Sequence, residues 1–107
     1  MKLTKKNIYK CLKTVIDPEL GKNLVEIGLI YDVRIAPKKS SKKLKIVMTL
    51  TSPGCPLAEV FPVMIKESLE PINDLNFEKD VELELTFDPP WIIDMMSEEV
   101  RAELGLD

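Results

Sequence analysis

Three stretches of this chain alternate apolar and polar residues with period two, and others place apolar residues three or four apart. Residues 4–16 are of the second kind. Ile8, Leu12, Val15 and Ile16 recur at helical spacing, with Thr4 as a cap. Asp17-Pro18 is the stop, because the residue before a proline is pushed out of the α region. Cys11 falls on the same face as Ile8 and Val15 and reads as a small buried hydrophobe. Gly28 opens the first strand, in which Leu29, Tyr31, Val33 and Ile35 alternate with Asp32 and Arg34. A second strand follows residues 37–42. It has Leu44, Ile46, Met48 and Leu50 on one face and Lys43, Lys45, Thr49 and Thr51 on the other. The third, over residues 81–87, sets Val81, Leu83, Leu85 and Phe87 against Glu82, Glu84 and Thr86.

Between the second and third strands the spacing predicts a helix over residues 56–69, with Val60, Phe61, Met64, Ile65 and Leu69 as its apolar face. Pro62 removes a backbone donor and crowds the preceding turn, so a kink or an irregular first turn is expected. A last helix starts after Ser97, with Glu98 and Glu99 on the favourable end of its dipole, and ends at Gly105. The order is α-β-β-α-β-α. It predicts an α/β (α+β) two-layer sandwich: a three-stranded mixed sheet with helices on one face. The short polar connection makes the first two strands an antiparallel hairpin. The third is parallel to the second if they are neighbours. The other face is wet, with the acids of strand three beside the lysines of strand two. The expected core is Leu29, Val33, Leu44, Ile46, Met48, Val60, Met64, Ile65, Val81, Leu83 and Leu85.

Composition narrows the function classes. The chain has 107 residues, the size of one domain (1–107), and its net charge of −3 comes with a sequence pI of about 5.1. No basic stripe interleaved with aromatics points to nucleic acid. The lysines within residues 38–45 read as a solvated hairpin end. No apolar run approaches the ~20 residues of a membrane helix, and lysines run through the first sixteen residues, where a signal peptide would need an apolar stretch. Two cysteines without an export signal predict reduced thiols in a cytoplasmic protein.

One of those thiols is oddly placed. In "TLTSPGCPLAEV" a strand runs out through Thr49, Thr51 and Ser52 into Gly54, Cys55 and Pro56. Pro56 suits the first position of a helix, which makes Cys55 its N-cap and predicts a thiol with a lowered pKa. Gly54 permits a tight turn and Ser52 and Thr51 add hydroxyls. The plain alternative is a stiff turn in which Cys55 fills a gap. "DPELG" puts Asp17 and Glu19 on a proline-fixed turn, either as site acids or as a solvated helix terminator. "FDPPW" stiffens the exit from strand three and presents Trp91, either to a site or to the core edge.

The chain has no histidine, so a Cys-His or Ser-His-Asp arrangement within it is excluded. There is no CxxC pair, and two cysteines cannot close a four-thiolate site. One thiolate near carboxylates still binds a soft metal weakly with positions left open. That suits handing on a metal or cluster, or sharing a site across a homodimer. In an antiparallel pair the start of strand one lies beside the end of strand two. Asp17, Glu19, Thr51 and Cys55 are therefore expected at one edge of the sheet.

"VIDPELGKNLVEIGLIYDV", "MTLTSPGCPLAEV" and "FDPPW" followed by "MS" together resemble, in order, the hallmarks of the SufT/PaaD-like metal–sulfur cluster assembly family. That family also supplies the amino-terminal domain of some Mrp/ApbC-type cluster-carrier ATPases. The resemblance runs from about Ile8 to Gly105. It implies iron–sulfur cluster assembly, carriage or client maturation, with the functional cysteine on Cys55, the acidic turn on Asp17 and Glu19, and the hydroxyl-rich approach on Thr49, Thr51 and Ser52. It implies a transient iron–sulfur cluster or iron as cargo, with none held tightly. Its partners are assembly proteins and apo-clients rather than nucleic acid or membrane. Cys11 matches no motif. The cysteine-rich carboxyl-terminal segment of PaaD proteins and a P-loop are both missing from this sequence. The competing readings are a metal-free adaptor that docks assembly partners and clients, and a thiol enzyme, which the missing histidine disfavours.

Overall fold

The computed structural model describes residues 1–36, 42–51 and 56–106. Its elements in order are α1 (Lys5–Leu12), α2 (Leu24–Ile27), β1 (Ile30–Ile35), β2 (Leu44–Met48), α3 (Phe61–Ser68), α4 (Phe77–Asp80), β3 (Val81–Leu85) and α5 (Glu98–Glu103). Single 3₁₀ turns lie at Pro56–Ala58 and Ile93–Met95. The strand order is β1-β2-β3. β1 is antiparallel to β2 with Ile35 opposite Leu44, and β3 is parallel to β2 with Val81 beside Leu44. This is the mixed sheet that the periodicity predicts, with two additional short helices.

The buried face of β2 centres the core. Leu44, Ile46, Met48 and Leu50 are buried together with Ile8, Leu12 and Val15 from the first segment and Phe61, Ile65 and Leu69 from the third helical segment. Lys45 points the other way, 3.4 Å from both Glu82 and Glu84, and these two carboxylates hold its ammonium pKa above the usual value. The expected pairing of acids and lysines across the wet face is therefore present.

Several boundaries differ from the expectation for local reasons. α1 stops at Leu12, because the Thr14 hydroxyl donates to Cys11 O at 2.6 Å and takes up a terminal carbonyl. Val15 and Ile16 are then free to bond across to Leu24 and Asn23. Gly28 does not open a strand. It closes α2 in the left-handed region at φ 88° after the Asn23 N-cap. A bulge between Ile30 and Asp32 sets Tyr31 out of register, and of the expected apolar face Leu29 and Val33 are buried while Ile35 is 37% exposed at the strand end. Pro62 sits in the first turn of α3, where its missing N–H costs nothing. The irregular first turn is the Pro56–Ala58 3₁₀ turn.

The later start of α3 resets its phase. Phe61, Ile65 and Leu69 form the buried stripe, while Val60 is 44% exposed and Met64 only partly buried. Val60, expected in the core, thus falls outside it. So does Leu85. As an edge strand β3 has one neighbour, and exposure rises along it from 7% at Val81 to 45% at Leu85, with Leu83 between. Thr49, expected on the wet face, is completely buried, because β2 ends at Met48 and the period-two pattern ends with it. α5 ends as expected, with Gly105 at φ 73° and Leu106 N–H donating to Arg101 O at 2.8 Å.

Ile46 is fully buried on the central strand, whereas Leu85 is half exposed on the edge. Ile46→Ala should cost about 2–5 kcal/mol and Leu85→Ala less than about 1 kcal/mol in urea unfolding. Equal losses would contradict this layering.

Candidate functional site

The candidate site is built around the end of β2. Thr49 N–H donates to Leu29 O at 2.8 Å, and Met48 O accepts from Thr86 N–H at 2.9 Å. The last residues of the central strand are thereby held from both sides. Thr49 is locked inside, its hydroxyl only 3.4 Å from Leu50 O, and Thr51 emerges exposed. The expected site residues Ser52, Gly54 and Cys55 lie outside the described residues. The chain resumes in the 3₁₀ turn Pro56–Ala58, and the eight-residue α3 starts at Phe61. The expected α-helix beginning at Pro56 is therefore corrected.

The acidic turn reaches the same end of the sheet through a relay of backbone bonds. Leu24 N–H donates to Val15 O, Leu29 N–H to Leu24 O, and Thr49 N–H to Leu29 O, at 3.1, 3.0 and 2.8 Å. Within the turn Asp17 is 4% exposed. Its Oδ1 accepts from the N–H groups of Glu19 and Leu20 at 2.7 and 3.2 Å. Asp17 N–H donates to Lys22 O, and Gly21 N–H to Asp17 O. Asp17 thus spends one carboxylate oxygen on its own turn. Glu19 is the exposed acid of the motif.

The segment after β3 crosses the start of β1. Trp91 Nε1–H donates to Ile27 O at 2.9 Å and the Tyr31 hydroxyl to Pro89 O at 2.7 Å. Ser97 N–H donates to Glu26 O at 2.8 Å. A Cβ on Gly28 would lie 2.4 Å from Met95 O, so only glycine allows this approach. Trp91 therefore packs on the core edge, the plain alternative of its motif. Sequence reasoning missed Tyr31 and Gly28 as the anchors of this segment. The available signal was the Asn23 cap followed by Gly28, a short-helix signature.

Of the two thiols in the chain, Cys11 is 4% exposed, with its Sγ 3.9 Å from the Met1 thioether. Burial pushes its pKa up, which disfavours the reactive thiolate. Among the described residues no group of three or more histidine, cysteine, aspartate or glutamate side chains is placed to hold a metal ion.

Comparison with known proteins gives this geometry a context. The profile of the iron–sulfur cluster assembly protein family matches residues 5–82. The chain is 41% identical over 102 residues to the Fe-S protein maturation auxiliary factor YitW of Bacillus subtilis, covering 95% of this chain and 94% of that one. It is 37% identical over 92 residues to the auxiliary factor SufT of Staphylococcus aureus, covering 86% and 98%. Among solved structures, a domain of unknown function from Bacillus anthracis superposes with a TM-score of 0.78 at 33% identity, covering 96% of this chain and 92% of that chain.

Two outcomes test the described part of the site. Asp17→Ala removes two charge-assisted bonds from a buried turn and should cost about 1.5–3 kcal/mol of stability; a neutral result would mean the turn holds without its carboxylate. Because burial raises the Cys11 pKa, iodoacetamide labelling of the native protein between about pH 7 and 9 should leave Cys11 lagging a free-thiol control. Mass mapping that finds Cys11 modified ahead of Cys55 would contradict its place in the core.

Proposed function

The chain belongs to the iron–sulfur cluster assembly protein family, and we propose that it acts there as a maturation factor, taking iron or a preformed cluster onto Cys55 and passing it to an apo-protein. One observation supports this reading above the others: Cys11 is committed to the core, which leaves Cys55 as the remaining thiol of a chain with no histidine. Soft-metal chemistry by this chain's own side chains therefore falls to Cys55. The Cys55 thiol releases its proton to solvent as its sulfur binds the metal. A lone protein thiolate leaves the other positions of the cargo to the donor or the client, so the contact is transient.

The supporting residues divide by role. Thr49 and Asp17 fix backbone, the first at the end of β2 and the second in its own turn. Ser52, Thr51 and the exposed Glu19 carry oxygen donors for the cargo. On this reading the protein is a carrier rather than an enzyme and works in the cytoplasm. Its partners are the assembly proteins that load it and the apo-clients that unload it, and a homodimer sharing cargo between two copies of Cys55 is compatible with the same chemistry. A second reading draws on the exposed apolar Ile92 and Ile93: the domain docks clients and assembly proteins without holding metal.

Anaerobic reconstitution of an apo [4Fe–4S] enzyme with iron and sulfide separates the two. Wild-type protein should speed activation, Cys55→Ser should reduce it to the unassisted rate, and Cys11→Ala should leave it unchanged. Glu19→Gln should slow activation with no change in unfolding. Full activity of Cys55→Ser would overturn the carrier reading and leave the adaptor.

A further inference from the structure

β3 is an open edge of the sheet. Its ladder with β2 is flanked at both ends by further bonds: Lys43 N–H donates to Asp80 O at 2.8 Å and Thr86 N–H to Met48 O at 2.9 Å. Alternate residues of a parallel strand bond to one neighbour, so Glu82 and Glu84 turn their backbone toward β2 while Leu83 and Leu85 turn theirs outward. No backbone bond beyond the ladder reaches Leu83 or Leu85 among the described residues. The opposite edge differs, because Asp32 of β1 faces Tyr9 and Lys5 of α1. The two flanks of the β3 edge differ in chemistry. On the helix side an open groove of about 330 Å³ lies between α3, α4 and the start of β3, lined by Pro62, Val63, Lys66, Phe77, Glu78 and Val81. Lys66 and Glu78 already pair with each other, and Val63 and Leu85 are 55% and 45% exposed. On the wet side the rows across the sheet run Arg34–Lys45–Glu82 and Asp32–Val47–Glu84. Lys45 lies 3.4 Å from both glutamates, so one ammonium serves two carboxylates, each about half exposed.

The geometry points to β3 as a pairing edge for an extended segment of a partner protein in which basic and apolar residues alternate. The segment's backbone takes up the outward N–H and C=O groups of Leu83 and Leu85. Its lysines or arginines continue the wet-side rows beside Glu82 and Glu84, on the flank that Lys45 does not occupy. Its alternate valine- or leucine-sized side chains face Leu85, Val63 and the groove. Charge and register select this occupant. An acidic strand would set like charges beside both glutamates, and a wholly apolar one would leave the surplus carboxylate uncompensated. A helix has its own backbone groups spent internally and cannot take up those of the edge. A second copy pairing antiparallel through β3 sets Glu82 against Glu84 when Leu83 meets Leu83, and Glu84 against Glu84 when Leu83 meets Leu85. β3 runs parallel to β2, so the segment reaches the end of the sheet from which the chain runs on to Cys55. The inference goes beyond the carrier reading and does not require Cys55 to hold metal.

A labelled, end-capped peptide of alternating lysine and valine, titrated onto the whole protein, tests it. It should slow hydrogen exchange at the Leu83 and Leu85 amides and leave exchange at Glu82, Glu84 and Thr86 as it was. A peptide of the same composition and charge, with its lysines and valines in separate blocks, should bind about tenfold more weakly, because it cannot serve both flanks. Of two alternating peptides, one N-methylated at every lysine and one at every valine, one should bind and the other fail. Only one of those sets turns its N–H groups to β3, and the failing one gives the direction of pairing. The dissociation constant should rise about threefold or more in Glu82→Gln/Glu84→Gln protein and rise with added salt. Cys55→Ser should bind the peptide unchanged, so failure of docking and failure of cluster transfer are read separately. Equal binding of the block peptide, equal effects of the two N-methylations, or unchanged exchange at Leu83 and Leu85 would each overturn the proposal. So would protection of those two amides by self-association of the free protein.

Discussion

The end of β2 is held by two backbone hydrogen bonds, and the site is organised around them. Thr49 N–H is given to Leu29 on the β1 side and Met48 O takes Thr86 N–H on the β3 side. A central strand clamped on both flanks cannot slide, because a one-residue shift would turn Leu44, Ile46 and Met48 out of the core. The apolar face of β2 thus fixes where the chain leaves the sheet toward Cys55. Leu29 also bonds back to Leu24, and Leu24 to Val15, so the acidic turn is positioned by the same ladder. Asp17 then needs only to hold its turn closed, which its Oδ1 does.

The third wall of this region comes from the crossing segment. It is anchored by Trp91 on Ile27 O, Tyr31 on Pro89 O and Ser97 on Glu26 O. All three anchors lie on α2 or the first residues of β1. This short stretch therefore carries the acidic turn on one side and the crossing segment on the other. Gly28 is its tightest point, since any side chain there meets the Met95 backbone.

Much of this was legible in the sequence where period and burial coincide. Leu44, Ile46, Met48 and Leu50 stand in the core as alternation predicts, Lys45 finds Glu82 and Glu84, and Ser97 and Gly105 bound the last helix. The misses arise where tertiary structure overrides a local pattern. Alternation cannot show that β2 stops at Met48, so it predicts Thr49 in water. The helical face over residues 56–69 hid a change of phase at Phe61, which moved Val60 outward. Leu85 keeps its alternation but lacks a covering neighbour on the edge. The acidic motif was visible, yet only the coordinates divide it into a structural Asp17 and an exposed Glu19. Tyr31 looked like one more strand residue until the bulge took it out of register.

Contact between Cys55 and the cargo separates a carrier from an adaptor. Protein labelled with carbon-13 at the cysteine β-carbons reports both thiols separately, since Cys11 is buried and Cys55 is not its neighbour in sequence or motif. Under anaerobic conditions, adding a cluster-loaded donor should shift or broaden the Cys55 signal, leave Cys11 in place, and reverse when excess apo-client is supplied. An unchanged Cys55 signal while the client is being activated would contradict the account.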